Sequence, residues 1–353
     1  MAQTPRELVT RCLQFADPAR LPRDLWLLPW ATEHHAAAVT ALARRFPTDF
    51  AGPPDVYRPS PRVRGDAYAV GQYVDEWGCV FTNIQAGVIG EVRQPLVDDP
   101  ADWQRVEPPW ETLPANPDQA RDQVNRACAS TDRFVRAGCC ARPWERYQFI
   151  RGTVAAMLDL MDPTPGVAEL LRQIHAFYLR ELEFWVTTDV DAINFMDDWG
   201  SQHQLLIPPA MWRQWFAPLY RDYCDLARSH GKFVFMHSDG HISAIYEDLI
   251  DMGVHAVNSQ LFCMDMADLG RRAKGRITFW GEIDRQHVLT AADPQVGRDA
   301  VRQVARHLYD PRGGIIAQFE LGAGANPDVG AAIVEEWDQV HAEAQSATGD
   351  DAP

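Results

Sequence analysis

The sequence predicts an α/β fold, a single (β/α)8 TIM barrel with an N-terminal extension and lid-like excursions. In the second half of the chain, short apolar runs such as "KFVFMHSD" and "RITFWGE" alternate with helical patterns such as "ISAIYEDLIDMG". The helical patterns stop at Gly231, Gly253 and Gly275, shortly before the next strand, as a left-handed C-cap requires. Connections of this length join parallel strands that are covered by helices. The 353 residues also suit one barrel with added segments.

The first half supplies the remaining segments. "RDLWLLPW" and "AYAVGQYVDEWGCVFTNI" are extended in pattern, and the Pro-rich pieces "AGPPDVYRPSPRVRG" and "VRQPLVDDPADWQRVEPPWETLPANPD" predict ordered excursions that wrap or cover the barrel. We expect one barrel domain over residues 1–345 and a disordered tail over 346–353. An open doubly wound sheet is the alternative fold, but no G-x-G-x-x-G follows any strand, so a dinucleotide-binding version has no support.

Composition excludes several classes of function. The formal net charge is -16, and Lys and Arg do not cluster, which argues against binding to nucleic acid or to an anionic membrane. No apolar run reaches the length of a membrane span, and the N-terminal stretch lacks the apolar core of a secretory signal, so a cytoplasmic location is expected. The seven cysteines are scattered and form no C-x-x-C pair, so free thiols are expected.

Polar residues stand where five consecutive predicted strands end. Parallel α/β folds place the active site at the carboxyl ends of the strands, so these residues are functional candidates. They are Asp197 and Asp198, His237 and Asp239, Asn258 and Gln260, Glu282 and Asp284, and Glu320.

One imidazole with two or three carboxylates fits a first shell for zinc, manganese or ferrous iron. Alternation along a strand puts His237 and Asp239 on the same side, and a carboxylate at Glu320 inside an apolar strand needs a metal, a cation or a substrate beside it. Two other interpretations stay open. Asp239 is also a candidate helix cap, and Glu282 is a candidate partner for Arg285.

From "DEWGCVFTN" to its end, the chain resembles the uroporphyrinogen decarboxylase superfamily, which includes the methyl-cobamide methyltransferases. The resemblance rests on "DDWGSQHQLLIPPAMWRQWF", "KFVFMHSDGH", "FWGEID" and "GGIIAQFELGAGANPD" in that order. It implies a (β/α)8 barrel. The zinc methyltransferases of the family carry His-x-Cys at the fifth strand and a second Cys near Leu321. Here only His237 matches, and Asp239 and Glu320 stand near the cysteine positions, which favours an oxygen-rich site over a thiolate site.

The decarboxylase branch is matched by Asp239, Gly240 and His241. Its last glycine loop carries a His where this chain has Ala323, and its N-terminal arginine clamp for substrate carboxylates is missing from "DLWLLPWATEHH". The sequence therefore resembles the methyltransferase-like members more closely than the true decarboxylases.

The leading prediction is metal-assisted methyl transfer or demethylation of a small methylated substrate at the barrel mouth. The resemblance implies a corrinoid protein as a candidate methyl acceptor, and a homodimer. The predicted metal ligands are His237, Asp239, Glu320 and Glu282, with zinc as the first choice and manganese or iron as alternatives. The predicted acid, base or electrostatic groups are Asp197, Asp198 and Asp239. The predicted substrate-binding residues are Trp77, Tyr147, Gln202, Asn258, Gln260 and Asp284.

Two alternatives belong to other classes. The first is a metal-independent carboxy-lyase that acts on a non-porphyrin carboxylated substrate, with Asp239 stabilising a protonated intermediate. Such an enzyme needs a cation for the carboxylate, for which Arg146 and Arg151 are the candidates. The second is a non-catalytic barrel that binds a tetrapyrrole or corrinoid.

Overall fold

The computed structural model describes residues 2–349. Its helices are α1 (Pro5–Leu13), α2 (Pro29–His34), α3 (Ala36–Arg45), α4 (Pro117–Ala129), α5 (Pro143–Arg151), α6 (Thr153–Met161), α7 (Pro165–Trp185), α8 (Pro209–Trp215), α9 (Ala217–Ser229), α10 (Tyr246–Met252), α11 (Met266–Ala273), α12 (Pro294–Leu308) and α13 (Pro327–Gly349). Its strands are β1 (Arg23–Leu27), β2 (Phe50–Ala51), β3 (Gly71–Val74), β4 (Val80–Asn83), β5 (Glu91–Val92), β6 (Phe134–Val135), β7 (Ala192–Met196), β8 (Phe233–Ser238), β9 (Ala256–Ser259), β10 (Thr278–Trp280) and β11 (Ile315–Leu321).

The centre of the fold is a curled sheet of parallel strands in the order β1-β11-β10-β9-β8-β7. A short parallel pair, β2-β6, lies between its two edges. On one side the N–H of Asp49 donates to the carbonyl of Arg23 (2.9 Å), and on the other, isolated bridges join Arg136 to Ala192 and Ala141 to Phe195. The predicted α/β class is therefore confirmed. A complete eight-stranded barrel is not confirmed. On both sides of the β2-β6 pair, a single hydrogen bond or isolated β-bridges stand in place of a continuous ladder of backbone hydrogen bonds.

Alternation along the strands decides which side chains face the inside of the curl. On β8, Phe235 packs in an interior cluster with Phe50, Phe134 and Trp280, whereas Val234 belongs to the cluster under the helices. Helix α1 packs against this interior at the amino ends of the strands through Val9, Cys12 and Leu13. His237 has the same parity as Phe235, so the strand itself directs the imidazole towards the interior at the carboxyl end.

The excursions form a separate layer. Along the chain between β2 and β6, strands β3, β4 and β5 form a three-stranded antiparallel sheet. Two 3-10 helices follow, at Pro100–Arg105 and Trp110–Thr112. Further 3-10 helices lie at Ser243–Ile245 and Leu261–Cys263.

Several predictions about chain geometry can be compared with the structure. Gly231, Gly253 and Gly275 all have positive φ, and Gly253 is a left-handed C-cap of α10, as predicted. All seven cysteines are free. Helix α13 continues to Gly349, so residues 346–349 are helical rather than part of a disordered tail, and 350–353 lie outside the described residues. Within residues 2–349, no helix combines the length and apolarity needed to cross a membrane.

His255 links the fold to pH. The N–H of Val234 donates to Nδ1 of His255 (3.0 Å), so the fold requires that nitrogen to be unprotonated. Burial, and next the charge of Arg228, lower the pKa of His255 to about 4. The unfolded value is about 6.5. Folding therefore favours the neutral ring, and this contribution is fully present above about pH 6.5 and is lost as pH falls through the folded value.

We expect the unfolding free energy of the wild type to fall between pH 6.5 and 4 by about 2–3 kcal/mol more than that of His255→Gln, which cannot titrate. Urea denaturation of both proteins across this pH range measures the difference. Parallel pH dependences in the two proteins would contradict the assignment.

Candidate functional site

Two loops cross where β7 and β8 end, and glycines allow the crossing. The N–H of Gly200 donates to the carbonyl of Asp239 (3.0 Å), and the N–H of His241 donates to the carbonyl of Ser201 (2.7 Å). A Cβ on Gly200 would lie 2.3 Å from the His241 nitrogen, and Gly240 has a φ of +78°. The segments "DDWG" and "SDGH" therefore pack backbone against backbone. This packing brings the carboxylate of Asp198 close to that of Asp239.

This crossing assembles a cluster of Asp198, His237 and Asp239, whose candidate ligand atoms all lie within 4.8 Å of one another. Nε2 of His237 is 3.6 Å from Oδ1 of Asp198 and 3.6 Å from Oδ1 of Asp239. The N–H of Asp239 donates to Oδ1 of Asp198 (2.9 Å). Oδ1 of Asp239 is buried and has no hydrogen-bond partner within residues 2–349. Burial, and next the charge of Asp239, raise the pKa of Asp198, while His237 acts in the opposite direction.

An amide fixes the tautomer of the imidazole. The side-chain nitrogen of Asn258 donates to the carbonyl of Trp280 and to Oε1 of Gln318 (3.0 Å). Its oxygen is therefore the atom that faces Nδ1 of His237 at 2.6 Å, and Nδ1 must carry the hydrogen. In the neutral ring this leaves the Nε2 lone pair directed at two carboxylates. Such an arrangement is unfavourable unless a cation or a proton lies between them.

Arg285 gathers the other carboxylates of the rim. Its guanidinium forms an ion pair with Asp239. The same group lies 3.2 Å from Oε1 of Glu320 and 3.7 Å from Oε1 of Glu282. Burial, partly offset by Arg285, raises the pKa of Glu282 to about 8, so this carboxyl group is mainly protonated at neutral pH. The structure thus does not bring Glu282 and Glu320 into the cluster around His237. The alternative in which Glu282 faces Arg285 describes their positions correctly.

The capping alternative for Asp239 is wrong. The next helical turn begins at Ser243, and the residues at the N-cap positions of that turn and of α10 are Ile242 and Ile245. The carboxylate of Asp239 is instead held between Arg285 and His237.

Asp197 is turned away from the cluster. It is fully buried, and its carboxylate accepts hydrogen bonds from the N–H groups of Trp144 (2.8 Å) and Glu145 (2.7 Å) and from the hydroxyl of Tyr220 (2.5 Å). Burial, and next the charge of Glu145, hold the pKa of Asp197 well above its usual range. Asp197 therefore holds the first turn of α5, a structural role in place of the catalytic one predicted for it.

Tyr147 is also structural. It is fully buried, and its hydroxyl donates to Asp159 (2.8 Å), which pairs with Arg151 (2.7 Å). This correction also removes Arg151 from the candidate cations for a substrate.

Trp77 lies under the excursions. It is buried beneath the guanidinium of Arg146 (5.0 Å to the ring centroid), and Arg146 pairs with Asp75 and Glu76. Trp77 borders a cavity of about 510 Å³ between the excursions and α5 and α7. It does not line the cavity at His237.

Gln202, Gln260 and Asp284 share a smaller cavity of about 320 Å³ with Glu282 and Arg285. Oδ1 of Asp284 accepts from the N–H groups of Gln286 (2.7 Å) and His287 (3.0 Å), which shapes the loop after β10. The predicted substrate-binding residues therefore do not lie in one common cavity. Asn258 forms a hydrogen bond with His237.

The cavity that His237 lines has a volume of about 480 Å³. Sequence reasoning missed most of its other walls, which include Asp24, Trp26, Phe50, Arg136, Cys140 and Trp280. A signal existed for Asp24 and Trp26, whose spacing on "RDLWL" puts both on one face of β1. None existed for Arg136, which follows a strand of two residues.

Comparison with known proteins now places the chain. The family model described as Uroporphyrinogen decarboxylase (URO-D) matches residues 76–340. The chain belongs to the URO-D family. A solved structure described as a methyltransferase from Methanosarcina mazei has a similar fold, with a TM-score of 0.67, 13% sequence identity, and coverage of 96% of this chain and 99% of that one. This URO-D chain therefore has the fold of a methyltransferase, as the sequence resemblance implies.

Two other solved structures are more distant. A D-psicose 3-epimerase has a TM-score of 0.34 at 12% identity, covering 65% of this chain and 83% of its own. A GH113 β-1,4-mannanase has a TM-score of 0.40 at 10% identity, covering 92% and 99%. Neither similarity is close enough to inform the site. No curated protein matches the sequence.

Replacement of Asp197 tests its structural role. Asp197→Ala leaves three donors without their acceptor, two of them in buried contacts, so we expect the unfolding free energy to fall by about 3 kcal/mol or more. The exposed Asp225→Ala serves as the control and should change stability by less than about 0.5 kcal/mol. Urea denaturation measures both. A variant that keeps wild-type stability but loses activity would restore the catalytic assignment.

Proposed function

We propose that this URO-D family member is a metal-dependent enzyme that transfers a methyl group from or to a small substrate, with Asp198, His237 and Asp239 as the metal ligands. The observation that carries the proposal is the convergence of three donor atoms around one point, with the Nε2 lone pair oriented by Asn258. The methyltransferase neighbour, whose fold is similar, supports the transfer reaction.

The residues fit a metal ion. Ligand atoms around a tetrahedral ion with bonds of about 2.1 Å lie about 3.4 Å apart. The two distances from Nε2 of His237 to the carboxylate oxygens, both 3.6 Å, are close to that value. The unpartnered Oδ1 of Asp239 would gain the partner it lacks.

The donor set of one nitrogen and two oxygens suits zinc, manganese or ferrous iron, and we propose zinc first. This set differs from the predicted one. Asp198 takes the place of Glu320 and Glu282, which Arg285 holds.

A metal bound here would act as a Lewis acid on a substrate oxygen, nitrogen or sulfur atom. The protein groups have separate tasks. Asn258 orients the imidazole, as an outer-shell partner of a metal ligand does. Arg285 holds one oxygen of Asp239 and leaves Oδ1 directed at His237. Glu282, neutral at pH 7, is placed to donate a proton into the cavity that it shares with Gln202 and Gln260.

The finer parts of the prediction belong to the same proposal. The family resemblance supports a corrinoid protein as methyl acceptor and a homodimer. The bond from Asp49 to Arg23 and the bridge from Arg136 to Ala192 support a barrel that closes through β2 and β6.

Metal analysis tests the ligand set. We expect Asp198→Asn, His237→Ala and Asp239→Asn each to weaken metal binding by more than the 10–100-fold typical of outer-shell changes. Glu320→Gln should keep the metal, because this residue faces Arg285. Elemental analysis and titration of the chelated protein with zinc, manganese and ferrous iron measure the effect, and far-UV circular dichroism controls for folding.

Loss of metal in Glu320→Gln, with retention in Asp198→Asn, would replace the proposed ligand set by the one predicted from sequence. No binding of any of the three metals by the wild type would remove the metal-dependent mechanism. Methyl transfer itself is tested by following methyl loss from methylated oxygen, nitrogen and sulfur compounds by NMR, with and without metal.

A further inference from the structure

The cavity at His237 contains a cation that the proposed mechanism does not use. Arg136 lines this cavity, and its side chain is 18% exposed. Its guanidinium lies 3.0 Å from Oδ2 of Asp24. Within residues 2–349 it makes no other ion pair and no side-chain hydrogen bond. A guanidinium has five N–H donors, so most of those on Arg136 are free to meet a ligand in the cavity.

Aromatic rings hold this guanidinium in place. Cζ of Arg136 lies 4.6 Å from the ring centroids of both Phe50 and Trp280 and 5.8 Å from that of Phe235. Such contacts stabilise the charge of the guanidinium without using its N–H donors.

Asp24 does not occupy the whole N–H edge of the guanidinium. Its Oδ2 also accepts hydrogen bonds from the indole nitrogens of Trp26 (3.1 Å) and Trp280 (2.9 Å). One oxygen of Asp24 therefore contacts the guanidinium and both indoles, while Arg136 keeps unused donors.

Two indole rings connect the cation to the proposed metal site. The ring centroid of Trp26 is 5.3 Å from that of Trp280 and 5.5 Å from that of His237. All three rings line the same cavity as Arg136. A molecule anchored at Arg136 can lie along this apolar wall and present its far end to His237.

We infer that this cavity binds a small monocarboxylate with an apolar body, with its carboxylate on Arg136. A planar carboxylate matches two parallel N–H groups of a guanidinium. A dianion such as phosphate would be disfavoured, because the charge of Asp24 lies beside the site. The inference names the substrate class of the cavity that His237 lines, and it rests on the proposed function only for the reaction at the His237 end.

Binding to the chelator-treated full-length protein tests the inference. The probes are acetate, propionate, benzoate and phenylacetate, each compared with its amide by isothermal titration calorimetry. We expect at least one carboxylate to bind about tenfold or more tightly than its amide, because a charged hydrogen-bonded pair is stronger than a neutral one. Arg136→Gln should remove this preference. The exposed Arg133→Gln, three residues earlier, is the matched control and should keep it.

A second variant guards against loss of folding in Arg136→Gln. Asp24→Asn removes the competing negative charge, so we expect it to bind the same carboxylate more tightly than the wild type. A damaged cavity could not produce that gain.

Two outcomes overturn the inference: none of the four carboxylates binds more tightly than its amide, or the preference survives in Arg136→Gln. Failure of the proposed function looks different. A carboxylate held by a metal would depend on added metal and on His237, and would be insensitive to Arg136. Binding that depends on Arg136 in a protein that takes up no metal would keep the inference and reject the metal-dependent mechanism.

Discussion

The hydrogen bond between Nδ1 of His237 and Oδ1 of Asn258 is the constraint on which the site depends. Asn258 lies on β9, and its side-chain oxygen accepts a hydrogen bond from His237 on β8. Its side-chain nitrogen donates to the carbonyl of Trp280 on β10 and to the side chain of Gln318 on β11. One amide thus ties four adjacent strands together at their carboxyl ends. Because its two donor bonds fix which amide atom faces the imidazole, it also decides that Nε2 carries the lone pair in the neutral ring. The position of the imidazole and the orientation of its two nitrogens therefore have a single structural cause, which is the register of the parallel sheet.

Charge is the second constraint. Asp198, Asp239, Glu282 and Glu320 converge on one rim in a chain of net charge -16, and Arg285 is the cation that contacts three of them. Burial and mutual repulsion raise the pKa values of Asp198 and Glu282. Arg285 pairs with Oδ2 of Asp239, whereas the gap at Nε2 of His237 is bounded by Oδ1 of Asp198 and Oδ1 of Asp239, both at 3.6 Å. A divalent cation in that gap would relieve the repulsion more effectively than protonation of a single group, which is the electrostatic argument for a metal.

The sequence predicted which polar residues lie at the carboxyl ends of the strands. It did not predict which of them come together and which have a structural role. Strand alternation and the β-α rhythm placed His237, Asp239 and Asn258 at strand ends correctly, because both signals are local. These signals could not show that Asp197 and Asp198 have different roles. The N–H that Asp197 binds belongs to Trp144 in the first turn of α5, about 50 residues earlier in the chain. Strands β2 and β6 have two residues each, too few for any periodicity, so neither the closure of the sheet nor the cavity wall at Arg136 had a detectable signal. The missing information is long-range contact, which one sequence without relatives does not carry.

The two ends of the His237 cavity constrain the substrate in different ways. His237 lies at one end, where the proposed site of one nitrogen and two oxygen donors would be harder than a thiolate site and would favour substrates that present oxygen. At the other end, a guanidinium held between aromatic rings favours a singly charged planar anion. The indole wall between them offers dispersion contacts and no polar partner, because both indole nitrogens are bonded to Asp24. Under the proposed function, a flat apolar body with a carboxylate at one end and an oxygen-bound methyl group at the other would satisfy all three regions at once. No region alone would specify it.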